Sequence, residues 1–403
     1  MSACLLPPDS GALPYRGVML DVCRHFLSMS EVRRMVEALA LLKMNVLHLH
    51  LSDDQGWRFE SLKWPKLTTH ASTRPKTVVG RPANYSNHDL HPENYLNQYD
   101  DKVHSGFYSQ NELRELVAFA KSKGITVVPE IDMPGHMRAA RAAYPELGYN
   151  GVQQEVACSW GIFPEVLRVD EPGIQFAKDI LGEICDVFDS PYIHIGGDEC
   201  PKAEWAAADT ARKQVEQMDL DPDHLDSYHK LQAWFTGEMA AFLASKGRKL
   251  LGWDEILDGG APDGVVVMAW RDWTHAAERA TKAGIPVVQA PSLLYFDYAQ
   301  GPEKDEPLAI GPGATLEQVY AFDPFKGVPE ERRDLVLGTQ AQLWSEYIPT
   351  PEHLWYMAFP RLIALADVAY HGEKRDSYED FLKKLPARVE GLKKLGIEGH
   401  PLP

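Results

Sequence analysis

The sequence predicts an α/β protein folded as a closed (β/α)8 barrel of the TIM type, and three observations carry that expectation. Eight short apolar segments alternate with segments whose apolar residues recur at helical spacing, the pattern of parallel strands covered by helices. Acids, histidines and tryptophans stand just past the ends of those apolar segments. No internal repeat, low-complexity tract or Gly/Ser linker divides the chain, so residues 1–403 read as one barrel domain with a C-terminal amphipathic tail.

The first strand is Gly17 to Asp21, followed by a helix from about Ser30, its expected N-cap, to Lys43. The second strand, Asn45 to Leu51, reads NVLHLHL. Ser61 to Gly106, rich in Pro, Asn and His, reads as a long structured loop. Ser109 opens a helix that Gly124 ends, and Ile125 to Ile131 is the third strand. A helix near Pro172–Phe188 precedes the fourth strand, Tyr192 to Ile195. The helix Ser227–Lys246 leads to the fifth strand, Lys249 to Trp253. Between Trp253 and Val265 there is hardly room for a helix, so one outer helix is expected to be irregular or missing. Val265 to Trp270 is the sixth strand, a helix covers about His275–Ala283, and Pro286 to Ala290 is the seventh. The Pro/Gly-rich stretch Gly301–Gly313 reads as a long βα loop. The eighth strand is Leu335 to Trp344, and a helix over Glu352–Ala366 closes the array.

Composition sets bounds on function. The formal charge of −17 repels a phosphate backbone at long range, so nucleic acid is not an expected partner, whereas a neutral ligand is compatible. The five cysteines are scattered without a CxxC pair, which indicates neither a zinc ribbon nor a redox dithiol and fits reduced thiols. No apolar run is long enough to cross a bilayer and no signal peptide is visible, which sets a cytoplasmic, non-membrane expectation.

Reacting groups of such barrels lie past the C-terminal ends of strands. In strand order these positions hold Asp21 and Arg24; Asp53, Asp54 and Trp57; Glu130, Asp132 and His136; Asp198 and Glu199; Trp253, Asp254 and Glu255; Trp270 and Arg271; Tyr295 and Asp297; Trp344 and Glu346. An Asp-Glu pair is usually a solvated surface feature. Asp198-Glu199 instead follows YIHIGG, an apolar strand with two glycines that permit a sharp bend or close approach. Two adjacent carboxylates in a partly dry pocket cannot both ionise cheaply, so one becomes an acid able to donate a proton near neutrality. Three tryptophans closing three strands, each with an acid within two residues, suit a sugar: rings cover C–H faces and acids bind hydroxyls. His48 and His50 point to one strand face and have spacing suited to a metal, but no later strand completes a ligand set, so hydrogen-bonded barrel histidines are favoured.

The stretches YRGVMLDVCRHF, NVLHLHLSDDQGWR, GFYSQNELRELVAFAKSKGITVVPEIDMPGH, YIHIGGDECPKAEW, GWDEIL and LGTQAQLWSE resemble glycoside hydrolase family 20, the β-N-acetylhexosaminidases, from Tyr15 to about Tyr370. The resemblance implies Glu199 as general acid and then base, and Asp198 as the residue that orients the substrate's acetamido group. It implies Asp53 and His136 as a relay behind the acid, Asp132 as support, and Tyr295 as donor to the acetamido carbonyl. Arg24, Asp297 and Glu346 are similar to hydroxyl-binding residues of the family. Trp253, Trp270 and Trp344 resemble its acetamido and ring pocket. Many relatives carry an α+β domain before the barrel; here the first strand starts almost at once, so that domain is expected to be absent.

Family 20 is an exception to the two-carboxylate scheme, because the 2-acetamido oxygen is the nucleophile. The resemblance therefore implies an exo-acting retaining enzyme that needs no metal or organic cofactor. It would act on oligosaccharides or glycoconjugates ending in β-linked N-acetylglucosamine or N-acetylgalactosamine. Release of a disaccharide, in the manner of a lacto-N-biosidase, is the alternative within that chemistry. A metal-dependent hydrolase built on His48 and His50, and a sugar-binding pseudoenzyme, are the rivals outside it. A homodimer formed through barrel loops is the assembly the resemblance suggests.

Overall fold

The computed structural model describes residues 4–82, 96–302 and 306–402. Eight parallel strands close on themselves: β1 (Tyr15–Asp21), β2 (Val46–His50), β3 (Thr126–Glu130), β4 (Tyr192–His194), β5 (Lys249–Trp253), β6 (Val266–Ala269), β7 (Val287–Gln289) and β8 (Val336–Leu343). Each pairs with its neighbours in chain order, and β8 returns to β1, with Tyr15 opposite Gly338 and Leu20 opposite Leu343. All eight lie within two residues of the strands expected from the sequence. The β3–β4 ladder is the shortest, a single pair of Glu130 opposite His194, and the side chains of that pair meet at 3.0 Å.

Alternation along the strands separates two cores. Outward residues such as Val18, Leu47, Val127, Ile193 and Val267 pack under the helices. Inward residues fill the barrel, and their character changes with height. Tyr15, Val46, Tyr192, Val266 and Leu337 fill the base together with Leu6, where the Leu5 amide donates to the Tyr192 hydroxyl at 2.8 Å. Above them come His48, His194 and Gln340, and then His50, Glu130 and Trp253 at the mouth. A dry base beneath a polar mouth confines the ionisable groups to the end where loops can bring a ligand.

The helices follow their start and stop signals, with two corrections. The first, Met29–Leu41, buries Val32, Met35, Val36 and Leu39, but its N-cap is Ser28 and not Ser30. Ser28 has an extended backbone and its side chain accepts from the Glu31 amide, whereas Ser30 already lies in the first turn. Ser109 caps Gln110–Ser122 through a complete capping box with Glu112. The expected helix Glu352–Ala366 is two helices, Pro351–Ala358 and Arg361–His371. Pro360 forces Phe359 into an extended conformation (φ −111°, ψ 144°), which ends the first helix. After β5 the chain makes only a 3₁₀ turn, Asp254–Leu257, so the outer layer does lack a full helix there.

The long loop 61–106 carries a short helix, Lys66–Thr69, and a two-stranded ribbon of Thr73–Arg74 with His104–Ser105; its residues 83–95 lie outside the described ones, as do 303–305 of the Gly301–Gly313 loop. The two loops meet: the Arg81 guanidinium donates to the Ile310 carbonyl at 2.8 Å. Among the described residues no helix is long and apolar enough to cross a membrane. None of the five cysteines forms a disulfide.

Candidate active site

The exit of β4 is built around its two glycines. Gly196 and Gly197 take φ of +68° and +98°, and a Cβ on Gly196 would lie 1.7 Å from Asp132 Oδ1. Glycine is required there for backbone freedom and for room. The Gly197 amide then donates to Asp132 Oδ1 at 3.2 Å. This turn delivers Asp198, 8% exposed, and Glu199, whose side chain is 35% exposed. Glu199 itself sits at φ +44°, and His136 at φ +51°. A left-handed backbone is unfavourable for both residue types, and both stand at the proposed proton-transfer pair, where a surrounding structure is needed to hold them.

His136 links that pair to the end of β2. Its Nε2 lies 3.5 Å from Glu199 Oε2 and 3.7 Å from Asp198 Oδ2. Its Nδ1 is 2.9 Å from Asp54 Oδ2 and 3.4 Å from Asp53 Oδ1. Burial disfavours the charged imidazole, but Asp53, Asp54 and Glu199 outweigh burial and hold the ring well above the ordinary histidine range. Asp53 is shared more widely. Arg24 Nη2 meets its Oδ2 at 2.8 Å, and His50 Nε2 meets the same oxygen at 2.8 Å. Burial would raise the Asp53 pKa, yet Arg24, His136 and His50 bring it well below the usual carboxylate range. The shorter contact to His136 is thus made by Asp54, which the sequence places at the strand exit without a role.

Arg24 is held on three sides, by Asp53, by Asp21 Oδ2 at 3.3 Å and by Gln55 Oε1 at 2.9 Å. Its guanidinium lies over the Trp344 ring, 5.1 Å from the centroid. Burial first, then the charges of Glu199 and Glu130, push Asp198 up to about 6 against the pull of His136. Burial first, then the charge of Asp198, push Asp132 well above its ordinary range. Asp198 Oδ1, Asp132 Oδ2 and Glu346 Oε2 are buried and accept no hydrogen bond from the described residues. Buried acceptors left open in this way are costly unless a ligand supplies the donors.

Glu130, deeper in the barrel, is the opposite case. Its Oε1 accepts the Trp253 indole N–H at 2.9 Å and its Oε2 pairs with His50 Nδ1 at 2.7 Å; His194 Nδ1, which accepts from the Gly196 amide, lies 3.0 Å from Oε1, and His48 Nε2 lies 3.0 Å from Oε2. Gln340 Nε2 engages the remaining His48 nitrogen at 3.1 Å. His48, Glu130 and His194 are close enough to one another to suit a cation, as are His50, Asp53 and Asp132. Both ring nitrogens of His50 are already engaged, by Glu130 Oε2 and Asp53 Oδ2, and His48 Nδ1 faces Gln340, which suits a hydrogen-bonded network.

A cavity of about 200 Å³ opens above these groups. Of the residues singled out in the sequence, Arg24, Asp53, His136, Asp198, Glu199, Trp253, Trp270, Tyr295, Trp344 and Glu346 line it. Asp132 and Asp297 do not: both are buried behind the wall. Trp253 and Trp344 meet with centroids 5.8 Å apart, and Trp270 faces Tyr295 nearly parallel at 6.2 Å. Tyr298 and Ile310 complete the lining and were not anticipated. Their only sequence signal was membership in the long loop after β7, since side-chain direction in an irregular loop has no period to read.

A barrel of eight strands with paired acids at one strand exit, a His–Asp relay and an aromatic wall has the outline of a glycosidase. Residues 13–373 match the catalytic domain of glycosyl hydrolase family 20, and the chain belongs to that family. It is 38% identical over 400 residues to a β-hexosaminidase of Porphyromonas gingivalis, which covers 98% of this chain and 48% of the relative. It is 34% identical to a β-hexosaminidase of Vibrio furnissii over 89% of this chain and 57% of the relative. The chain therefore spans about half the length of these relatives. Among solved structures, a β-N-acetylhexosaminidase superposes with a TM-score of 0.83 at 31% identity over 95% of this chain and 77% of the other. An exo-β-N-acetylglucosaminidase of Vibrio harveyi bound to N-acetylglucosamine gives 0.79 at 31% identity, over 98% of this chain and 60% of the other.

Proposed function

We propose that the protein is an exo-acting, retaining β-N-acetylhexosaminidase that uses the 2-acetamido group of its substrate as nucleophile. The observation that carries this reading is the juxtaposition at the β4 exit: a buried Asp198 with an unengaged oxygen beside a half-open Glu199 backed by His136. Asp198 accepts the acetamido N–H and offsets the positive charge that grows as the amide oxygen attacks the anomeric carbon. Glu199 protonates the departing oxygen, the oxazolinium-like intermediate forms, and Glu199 then takes a proton from water so that the configuration is retained. His136, fixed by Asp54 and Asp53, holds the acid in place. Tyr295 donates to the acetamido carbonyl; burial, and Asp297 after it, keep its phenol well above the usual tyrosine range and hence protonated. Arg24 and Glu346 bind hydroxyls, with Asp132 and Asp297 supporting from behind the wall. Alignment of the amide by a fixed pocket supplies acceleration by proximity.

Release of a single sugar is the reading proposed, with release of a disaccharide as the alternative that the products from defined oligosaccharides distinguish. Similarity to β-hexosaminidases and to an exo-β-N-acetylglucosaminidase bound to N-acetylglucosamine supports the acetamido specificity, and terminal β-linked N-acetylglucosamine or N-acetylgalactosamine is the substrate class proposed. The test pairs an aryl β-N-acetylglucosaminide with the matching plain β-glucoside. The first is expected to be cleaved and the second hardly at all; efficient cleavage of the plain glucoside sinks the assisted route.

A further inference from the structure

The turn after β5 carries two acids that the reaction above does not use, and both grip Trp270. Asp254 Oδ1 accepts from the Trp270 backbone amide at 2.9 Å. Glu255 Oε2 accepts from the Trp270 indole N–H at 2.9 Å. The ring so held is a wall of the cavity, nearly parallel to Tyr295 on the far side, while Glu255 itself does not line it. Arg271, from the exit of β6, is tied to Asp254 at 2.6 Å and to Asp258 at 2.9 Å, and its Nε comes no closer to Glu255 than 3.7 Å. The indole is therefore the only short-range hydrogen-bond partner the described residues give the Glu255 carboxyl.

We propose that Glu255 is a positioning residue for the acyl pocket: by anchoring the Trp270 indole it sets how large an N-acyl group the enzyme accepts. This rests on the reading that Trp270 borders the substrate's acetamido group. Burial first, then Asp198 from the β4 exit and the adjacent Asp254, hold the Glu255 carboxyl well above the ordinary range, against Arg271 and the Trp270 N–H. The Tyr295 phenol, also facing it, stays neutral. A glutamine amide keeps an acceptor oxygen for the indole N–H, and a side chain without an acceptor does not.

The experiment compares wild type, Glu255→Gln and Glu255→Leu on aryl glucosaminides carrying N-acetyl and N-propionyl groups, with the plain glucoside as control and thermal midpoints to confirm folding. Glu255→Gln is expected to keep KM and the acetyl-over-propionyl preference within about twofold. Glu255→Leu leaves the indole N–H without its acceptor and frees the ring. Its KM for the N-acetyl substrate should rise by about fivefold or more, its preference should fall by a similar factor, and kcat should change less. A folded Glu255→Leu with unchanged preference overturns the proposal, as does a Glu255→Gln as impaired as Glu255→Leu. If wild type itself does not favour the N-acetyl substrate over the plain glucoside, the fault lies in the underlying reading of the pocket and not in Glu255.

Discussion

Glu130 and Asp198 stand one strand apart in the same barrel, at the ends of β3 and β4, and both are buried. Glu130 accepts two N–H groups, from the Trp253 indole and His50, has ring nitrogens of His48 and His194 within 3.0 Å, and its pKa lies well below the ordinary glutamate range despite burial, through the charges of His194, His50 and His48. Asp198 has an oxygen without a donor and is pushed up to about 6. The residue types are nearly the same; what differs is hydrogen-bonding capacity left open. A saturated carboxylate holds structure together, and an unsaturated one at a cavity is available to a substrate. Their separation can be tested by mutation, and the expected effects fall in a clear order.

The largest effect is expected at Glu199. Glu199→Ala should lower kcat by about 10²- to 10⁴-fold on substrates with poor leaving groups, and much less on activated aryl glycosides, where little protonation is needed. Rate measurements across a leaving-group series check this, and equal losses throughout would remove Glu199 from the acid role. Asp198→Asn should cost about 10²- to 10³-fold, the scale of losing one preorganised electrostatic partner of a transition-state charge. Asp198 also sets a pH dependence. Its pKa is raised to about 6, so the ionised form that the proposed route needs as acceptor of the acetamido N–H hydrogen bond is present above that pH and lost below it. The acid limb of kcat/KM should fall about tenfold per pH unit below it in the wild type, and this limb should flatten in Asp198→Asn.

Glu130→Gln should move the other quantity. Removing a buried charge that pairs with three histidines is expected to destabilise the fold by about 3–5 kcal/mol, measured by denaturant unfolding. The folded pKa of Glu130 is depressed, so its contribution is complete above the unfolded value of about 4.3 and is lost as pH falls through the folded value. Wild-type stability should therefore drop on acidification in that window, and the variant should lose less. If Glu130→Gln instead left stability intact and abolished turnover, the contrast between the two carboxylates would collapse.

The sequence made some of this visible and hid the rest for identifiable reasons. Strand positions were legible because apolar runs bounded by turn residues leave few placements, and the exits of β4 and β5 pointed to Asp198, Glu199 and Trp253 through the barrel geometry alone. The split at Pro360 was written in the chain and needed only the restriction that proline puts on Phe359. Ser30 was the cap expected, yet Glu31 lies three residues after Ser28, which is the capping-box spacing, so the signal for Ser28 was present locally too. Asp54 could not be ranked above Asp53 as the partner of His136, because adjacent carboxylates in a short turn point by tertiary contacts: Arg24 and His50 claim Asp53, and Asp54 takes the ring. Ile310 reaches the cavity from a loop whose direction depends on Arg81, more than two hundred residues away in the chain.

The smallest effect bounds the comparison from outside. Ser109 caps the helix Gln110–Ser122 on the barrel's outer layer: its hydroxyl oxygen accepts from the Glu112 amide at 3.2 Å, while the Glu112 carboxylate accepts from the Ser109 amide at 2.8 Å. Ser109→Ala removes the hydroxyl half of that reciprocal pair and leaves the other, so the loss should be about 0.5–2 kcal/mol and toward the lower end, since the site is exposed and water can replace the acceptor. Nothing in that turn touches the cavity, and the helix reaches the site only through the strand that follows it. Turnover per folded molecule should stay unchanged while the unfolding midpoint falls. A change in kcat as large as that of Asp198→Asn would mean that the outer layer and the mouth are mechanically coupled, and saturation of hydrogen bonds would no longer separate the structural acids from the reacting ones.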